Sequence, residues 1–430
     1  MNLKGNRLLT GDGSFTPLEL THLFSALIRT RGVSTNDKLA FVSERPDKLI
    51  GTLAGIATFE TDSIVIPLPR LDERIRARIE SDGYFLINLD DKCAPIRGAR
   101  GCAGESGKVV ILSSGTTGVP KLIPHSWDTL FTFKDVMTPQ KRTWLLTYEA
   151  GSYAWYQMAA MWLFLEGQDL VVPSSSDPQQ MWEAGLAVQF DAISSTPTFW
   201  RHLLITIGKQ DIRLATLRQI TLGGEPVNQD ILSHLKDLFP AAKITHIYAS
   251  SEAGASVIVN DGKEGFPIEW LRKQSPDRPS LRVDGDRLFV RSPFASTAIT
   301  EWHDTGDIVE LRKGRVVLLG RADGHVLNIG GRKVYSKTIE DILLKSPYVS
   351  WCRVYARQAS LAGNVVQADI VGTPALVSLA PEEREENLSS YCREHLSDTW
   401  MVPRIFKILP KIPMSNNFKS SLRNRAGNEE

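Results

Sequence analysis

The sequence predicts an α/β protein in which mostly parallel sheets are covered by helices on both faces. Three observations lead there. Between residues 126 and 248 apolar helix and strand patterns alternate with short connections, the rhythm of parallel strands joined by crossover helices. The run from Val109 to Leu112 is continuously apolar, as in a strand buried on both faces, and it ends abruptly in glycine and hydroxyl residues. At 430 residues, the chain is long enough for two or three domains.

Taken in order, residues 16–30 have helical periodicity through Leu18, Leu20, Leu23, Phe24 and Leu27, with Thr16 placed to cap and Pro17 suited to the first turn. Residues 38–42 read as a strand, 47–59 as a helix and 63–68 as a strand, and the polar, glycine-rich stretch 92–108 reads as a linker. Beyond Lys121 the expected order is helix 126–137, strand 143–148, helix 155–165, strand 169–173, helix 178–189, strand 192–195 and helix 198–208. Strand 217–222, helix 228–238 and strand 243–248 complete the series. Ligands of such sheets gather at the carboxyl ends of the strands.

The bulk composition excludes several classes. Hydrophobic residues make up 42% and charged residues 23%, ordinary for a globular protein, and the formal net charge of +1 offers no field for nucleic acid or an acidic membrane surface. No apolar leader opens the chain and no stretch is long enough to span a bilayer. The four cysteines, Cys93, Cys102, Cys352 and Cys392, lack CxxC spacing and read as reduced thiols of a cytoplasmic protein, and the eight histidines form no zinc-like cluster.

Candidate chemistry begins at residues 109–121, VVILSSGTTGVPK. Gly115 and Gly118 let the backbone turn tightly and aim N–H groups at anionic oxygen; Ser113, Ser114, Thr116 and Thr117 add hydroxyls, and Lys121 adds a charge that can reach a polyphosphate. The spacing differs from the common nucleotide loop, in which lysine directly follows the last glycine, so a nucleotide kinase or GTPase fits poorly. Paired glycines with an acid and a proline, Gly223, Gly224, Glu225 and Pro226, follow one expected strand; Tyr248, Ala249, Ser250, Ser251 and Glu252 end another. A flat ring can lie on the bare glycine backbone, Tyr248 can stack on a base, and Glu252 is a hard oxygen ligand for Mg²⁺. Asp307, in His303–Asp304–Thr305–Gly306–Asp307, can accept from two vicinal hydroxyls, although such a triplet is also common in turns.

In this order the motifs resemble those of the adenylate-forming superfamily: acyl- and aryl-CoA synthetases, adenylation domains of peptide synthetases, and firefly-type luciferases. The resemblance runs from residue 109 to residue 419. It implies a large N-terminal domain over residues 1–320 and a smaller, mobile α+β C-terminal domain over residues 321–430, with Asp323 as the hinge. It implies ATP with Mg²⁺, the metal held by Glu252 and Thr117. The phosphates would be gripped by Ser113, Ser114, Gly115, Thr116, Thr117, Gly118 and Lys121. The adenosine would lie among Gly223, Gly224, Glu225, Tyr248, Ala249, Ser250 and Ser251, with Asp307 and Arg321 on the ribose side. In the closing segment Pro413, Ser415 and Lys419 match the family's lysine loop, making Lys419 the expected catalytic lysine, beside Thr117 and Glu252, with Lys411 as the alternative. Departures from the family pattern are Ala249 for glycine, Leu327 for a lysine and Phe418 for glycine.

The implied reaction joins a carboxylate to the α-phosphorus of ATP with release of pyrophosphate, and then moves the acyl group to a thiol. CoA is the leading acceptor, giving an acyl- or aryl-CoA thioester; a separate acyl or peptidyl carrier protein is the alternative. A nucleotide-binding, non-catalytic relative and a luciferase-type oxidase complete the readings. For the acid, the resemblance points to Tyr153, Tyr156, Thr196, Gly223 and His246. The aromatics Tyr148, Tyr153, Trp155 and Tyr156 suit an aryl or small hydrophobic acid, and equally suit the packing of a buried helix. No aspartate for a substrate ammonium aligns here, which disfavours a plain amino acid.

Overall fold

A computed structural model describes residues 2–31, 37–58, 65–69, 71–90, 109–113, 121–133, 139–207, 209–212, 215–299, 301–322, 326–329, 332–359 and 363–413. The expected linker, Ser114 to Gly118 of the phosphate loop, Asp323 and Lys419 lie outside the described residues.

Two sheets dominate. The first has five strands in the order Phe85–Asn88, Leu39–Val42, Val65–Leu68, Val109–Ser113 and Lys121–His125, parallel except for the last, which pairs antiparallel with Val109–Ser113. The second has eight, in the order Gly254–Val259, Lys243–Ser250, Gln219–Gly223, Ala192–Ser195, Arg142–Leu146, Gln168–Val171, Leu8–Thr10 and Gly13–Phe15. Its centre is parallel and only its two edge strands run antiparallel to their neighbours.

The sheets share a helical layer. Val109 and Ile111 of the first and Trp144, Leu146 and Leu170 of the second belong to one apolar core with Leu49, Ile50 and Leu53 of the helix Pro46–Thr58. The helix Tyr153–Phe164 lies in the same core and is apolar all round, with ten of its twelve residues buried, which is what a helix between two sheets requires. Alternation along each strand feeds the outer layers. Val110 packs with Ile79 of the helix Glu73–Ser81, whose cap Asp72 accepts from the Ile75 N–H. Leu145 packs with Trp182, Trp200 and Leu235 of the helices Pro178–Ala187, Pro197–Thr206 and Gln229–Leu238.

The alternating elements expected between residues 126 and 248 are present, with ends shifted by a few residues. The first helix differs most: it is a single turn, Trp127–Leu130. Gln157 explains the stop, because its amide nitrogen bonds the Leu130 carbonyl and its oxygen accepts from Thr132 Oγ1 at 2.6 Å. Those side-chain bonds take the place of continued helical ones.

A third, antiparallel sheet follows, in the order Phe266–Pro267, Arg315–Arg321, His303–Arg312, Arg287–Arg291 and Ser280–Asp284. The remainder has its own core. A hairpin, Val326–Ile329 with Arg332–Tyr335, leads to the helix Ser336–Leu343 and a sheet of Val349–Ala359, Gly363–Gly372 and Ile405–Ile408, which packs on the helix Pro381–His395 through Ile339, Ile370, Leu388 and Phe406. Polar contacts join this part to the rest. Asn228 accepts from Arg201 at 3.1 Å and lies 3.5 Å from Asp341, and Tyr335 donates to Asp286 at 2.9 Å. Among the described residues no helix is long and apolar enough to cross a membrane.

Candidate active site

The carboxyl ends of the second sheet's parallel strands form one edge, and two of the sequence motifs, those at Gly223 and Tyr248, lie there. The strand Gln219–Gly223 delivers Gly223 and then Gly224, whose φ of +82° suits a residue without a side chain. A Cβ on Gly223 would lie 3.5 Å from Tyr148 Oη, so the bare backbone faces that ring. Tyr148 shares a 3.2 Å hydrogen bond with Ser194 Oγ, and burial pushes its hydroxyl pKa up. Glu225 accepts from the Thr198 N–H and from Thr198 Oγ1, both at 3.0 Å. It thereby meets the positive end of the helix Pro197–Thr206, whose cap Thr196 accepts from the Phe199 N–H at 3.1 Å.

The next strand, Lys243–Ser250, joins the second sheet to the third. Tyr248 donates to Asp307 Oδ2 at 2.5 Å across 59 residues. Burial, then the Asp307 charge, drives the Tyr248 pKa well up, so the hydroxyl stays a donor. Asp307 stands opposite Arg321 in the register of the third sheet, and Arg321 donates to the Thr305 carbonyl at 3.1 Å. Between them Gly306 has a φ of +77°, and a Cβ there would sit 2.8 Å from Arg321 Nη2. Tyr248, Asp307 and Arg321 are therefore neighbours.

The first sheet carries the described residues expected to meet the phosphates. Ser113 and Lys121 are paired residues at the open end of the hairpin Val109–Ser113/Lys121–His125, and Lys121 is exposed. Beyond the hairpin, His125 Nε2 lies 2.8 Å from the Ser251 carbonyl. The Pro124 carbonyl accepts from Ser296 Oγ at 2.8 Å, and the Ser296 N–H donates to the Glu252 carbonyl at 2.8 Å. The Glu252 carboxylate makes no hydrogen bond or ion pair among the described residues and is half-buried, a donor set that fits a cation shared with phosphate oxygens. No cluster of three or more metal-ligating side chains exists among the described residues. Ala249 and Ser250 complete the strand, and Ser250 Oγ accepts from the Ala253 N–H at 2.9 Å.

The residues expected for the acid separate. Tyr153 is buried with its hydroxyl accepting from the Ala255 N–H at 2.9 Å and from Gln157 at 3.1 Å. Tyr156 is fully enclosed between the two sheets and donates to the Val110 carbonyl at 3.2 Å, so it belongs to the core and not to a ligand wall. His246 is held to the Lys263 carbonyl at 2.9 Å, and strand alternation sets it on the face opposite Ile247, which packs with the Tyr148 and Tyr153 core. That takes His246 away from the Gly223 side. Lys411 is exposed, and its charge helps burial depress the His202 pKa in the helix Pro197–Thr206. The Thr198–Glu225 contact and His125 had escaped the sequence reading; the threonine directly after a Thr-Pro helix start was the available signal for the first.

This fold and this edge define an adenylate-forming enzyme scaffold. Two family models match, the AMP-binding enzyme over residues 88–281 and the AMP-binding enzyme C-terminal domain over residues 338–419, and the chain belongs to the adenylate-forming superfamily. It is similar to malpinin synthetase of Mortierella alpina, 26% identical over 72% of this chain but only 5% of that one. It is 22% identical to acyl-CoA synthetase short-chain family member B, mitochondrial, of Dictyostelium discoideum, over 75% of this chain and 53% of that protein. The chain thus spans about half the length of the acyl-CoA synthetase and a small part of malpinin synthetase. It is 20% identical to the D-alanine–D-alanyl carrier protein ligase of Streptococcus pneumoniae, over 86% of this chain and 78% of that one. Among solved structures, the ATP-bound RpMatB-BxBclM chimera B3 superposes with a TM-score of 0.74 at 17% identity, covering 97% of this chain and 94% of that one, a likeness of fold.

Proposed function

We propose that this chain activates a small carboxylic acid by adenylation and hands the acyl group to a thiol, with CoA as the acceptor. The observation that carries the reading is the meeting of Tyr248, Asp307 and Arg321 at the sheet edge, next to the segment bearing Glu252. Tyr248 offers a ring for the base, and Asp307 offers oxygens for the ribose hydroxyls, with Arg321 beside it. Lys121 and the loop before it grip the phosphates. Mg²⁺, held through Glu252 and Thr117, would neutralise phosphate charge when bound. Lys419 would stand between carboxylate and α-phosphate, where its charge counts most with water excluded.

The carboxylate oxygen attacks the α-phosphorus, the bond to the β-phosphate oxygen breaks, and pyrophosphate leaves. A thiol then attacks the acyl carbon and AMP departs. Rotation of residues 321–430 about Asp323 would exchange the two half-reactions. Similarity to a carrier protein ligase favours a second acceptor, a separate carrier chain. A cytoplasmic location fits either acceptor.

The test is ATP–pyrophosphate exchange over a panel of aryl, short-chain, long-chain and amino acids, repeated with Lys419→Ala and Lys411→Ala. Exchange with one acid class, lost in Lys419→Ala alone, is the expected result. ATP binding without exchange for any acid would refute catalysis and leave a nucleotide-binding relative. Thioester formation with CoA and with carrier protein, offered separately, distinguishes the acceptors.

A further inference from the structure

His125 is fully buried at the end of the strand that leaves the phosphate loop. Its Nε2 meets the carbonyl of Ser251, 126 residues away, at 2.8 Å, and its Nδ1 meets Thr129 Oγ1 at 2.9 Å. A carbonyl only accepts, so Nε2 carries the hydrogen and the neutral ring leaves Nδ1 as the acceptor. The neighbouring residue makes a second tie. The Pro124 carbonyl accepts from Ser296 Oγ and from the Thr297 N–H, and the Ser296 N–H donates to the Glu252 carbonyl. Two adjacent residues of one hairpin thus reach two adjacent residues of the turn that follows the strand Lys243–Ser250, one directly and one through Ser296.

These ties have a consequence for geometry. Lys121 opens the strand that His125 closes, and Tyr248 lies three residues before Ser251. The imidazole provides a direct hydrogen bond between the hairpin expected to grip phosphates and the turn that follows the adenosine-side strand Lys243–Ser250. We propose that His125 is a positioning residue that keeps the phosphate-gripping hairpin in register with the Tyr248–Glu252 segment, so that one nucleotide meets both grips at once. The inference rests on the adenylation reading above. Ligands that use only the adenosine grip are indifferent to this register, and ligands that span both grips depend on it.

The experiment is titration calorimetry of the full chain with AMP and with ATP, for the wild type, His125→Gln, His125→Asn and His125→Leu. The glutamine amide reaches Ser251 as Nε2 does; the shorter asparagine amide does not. ATP affinity should fall about tenfold or more in the leucine and asparagine variants, with AMP affinity changed by less than about threefold, and glutamine should restore ATP binding to within about threefold. If the leucine variant does not fold, the glutamine–asparagine comparison reads the same effect. Equal losses for AMP and ATP, or no loss, would overturn the inference while wild-type binding keeps the functional reading intact. A wild type that binds neither nucleotide overturns both.

Discussion

Asp307→Asn tests the adenosine grip with little change of shape. In the structure the Asp307 carboxylate accepts the Tyr248 hydroxyl at Oδ2, 2.5 Å away. A carboxylate can take both ribose hydroxyls as charge-assisted acceptors. An asparagine has one acceptor oxygen, no charge, and an amide that must donate. One charge-assisted bond is therefore lost outright, worth about 1.5–3 kcal/mol. At about 1.4 kcal/mol per decade, that is a roughly 10- to 150-fold weaker ATP. The Tyr248 bond survives in neutral form, so the melting temperature should barely move. Calorimetry with ATP and 2′-deoxy-ATP on both proteins forms a double-mutant cycle. The variant should discriminate between the two nucleotides less than the wild type does. ATP affinity within about twofold of wild type, or strictly additive losses, would refute the assignment of Asp307 to the ribose.

Burial pushes the Glu340 pKa up to about 7, against the Val354 N–H and the Lys337 charge, which pull it down. A carboxyl raised in the folded state favours folding below its unfolded pKa and loses that contribution as pH climbs through about 7. Since the residue keeps some solvent contact, the swing is at most about 3 kcal/mol. Urea titrations from pH 5 to 8 should find stability falling across that window in the wild type and a flatter profile in Glu340→Gln, whose oxygen still accepts from Val354; a slope unchanged by the substitution would assign it to other groups. Glu225→Ala removes the acceptor of the Thr198 N–H and hydroxyl at a helix start and should cost about 1–2 kcal/mol in denaturant unfolding. Gly306→Ala should weaken ATP binding and lower the melting temperature together, because its φ of +77° disfavours a side chain and the new methyl would displace Arg321.

Much of the fold was legible because the second sheet is built from local repeats. Each of its central strands is an apolar run followed by a helix with its own capping signal, as in Thr196 before Pro197 and Asn228 before Gln229. What was not legible depends on distant partners. Leu8–Thr10 is too short to show alternation and becomes a strand only beside Gln168–Val171. The helix Glu73–Ser81 is strongly polar, with Ile79 its buried residue, so its pattern is faint beside its Asp72 cap. The helix expected over 126–137 was overruled by Gln157, a residue in another element. The site divides in the same way. Glycines and acids after strands mark Gly223–Glu225 and Tyr248–Glu252, since strand ends leave backbone for a ligand. That Tyr248 would reach Asp307, that Tyr156 would be spent on Val110, and that His125 would find Ser251 depends on how sheets stack.

The strand Leu8–Thr10 sets a timetable for synthesis. It lies between Gln168–Val171 and its own hairpin partner, and Asn6 beside it holds the carbonyls of Trp162 and Leu165 and the N–H of Gln168. Those partners emerge from the ribosome some 160 residues later, a wait of about 10–30 s at ordinary elongation rates. Through that interval the early strand has nothing to pair with except its own hairpin. The first strand made therefore waits for a neighbour made about 160 residues later, yet it can dock before Ala192–Ser195, Gln219–Gly223, Lys243–Ser250 and Gly254–Val259 are translated, so a chaperone or a slow codon near residue 170 would act on the nucleation of the sheet and not on its closing.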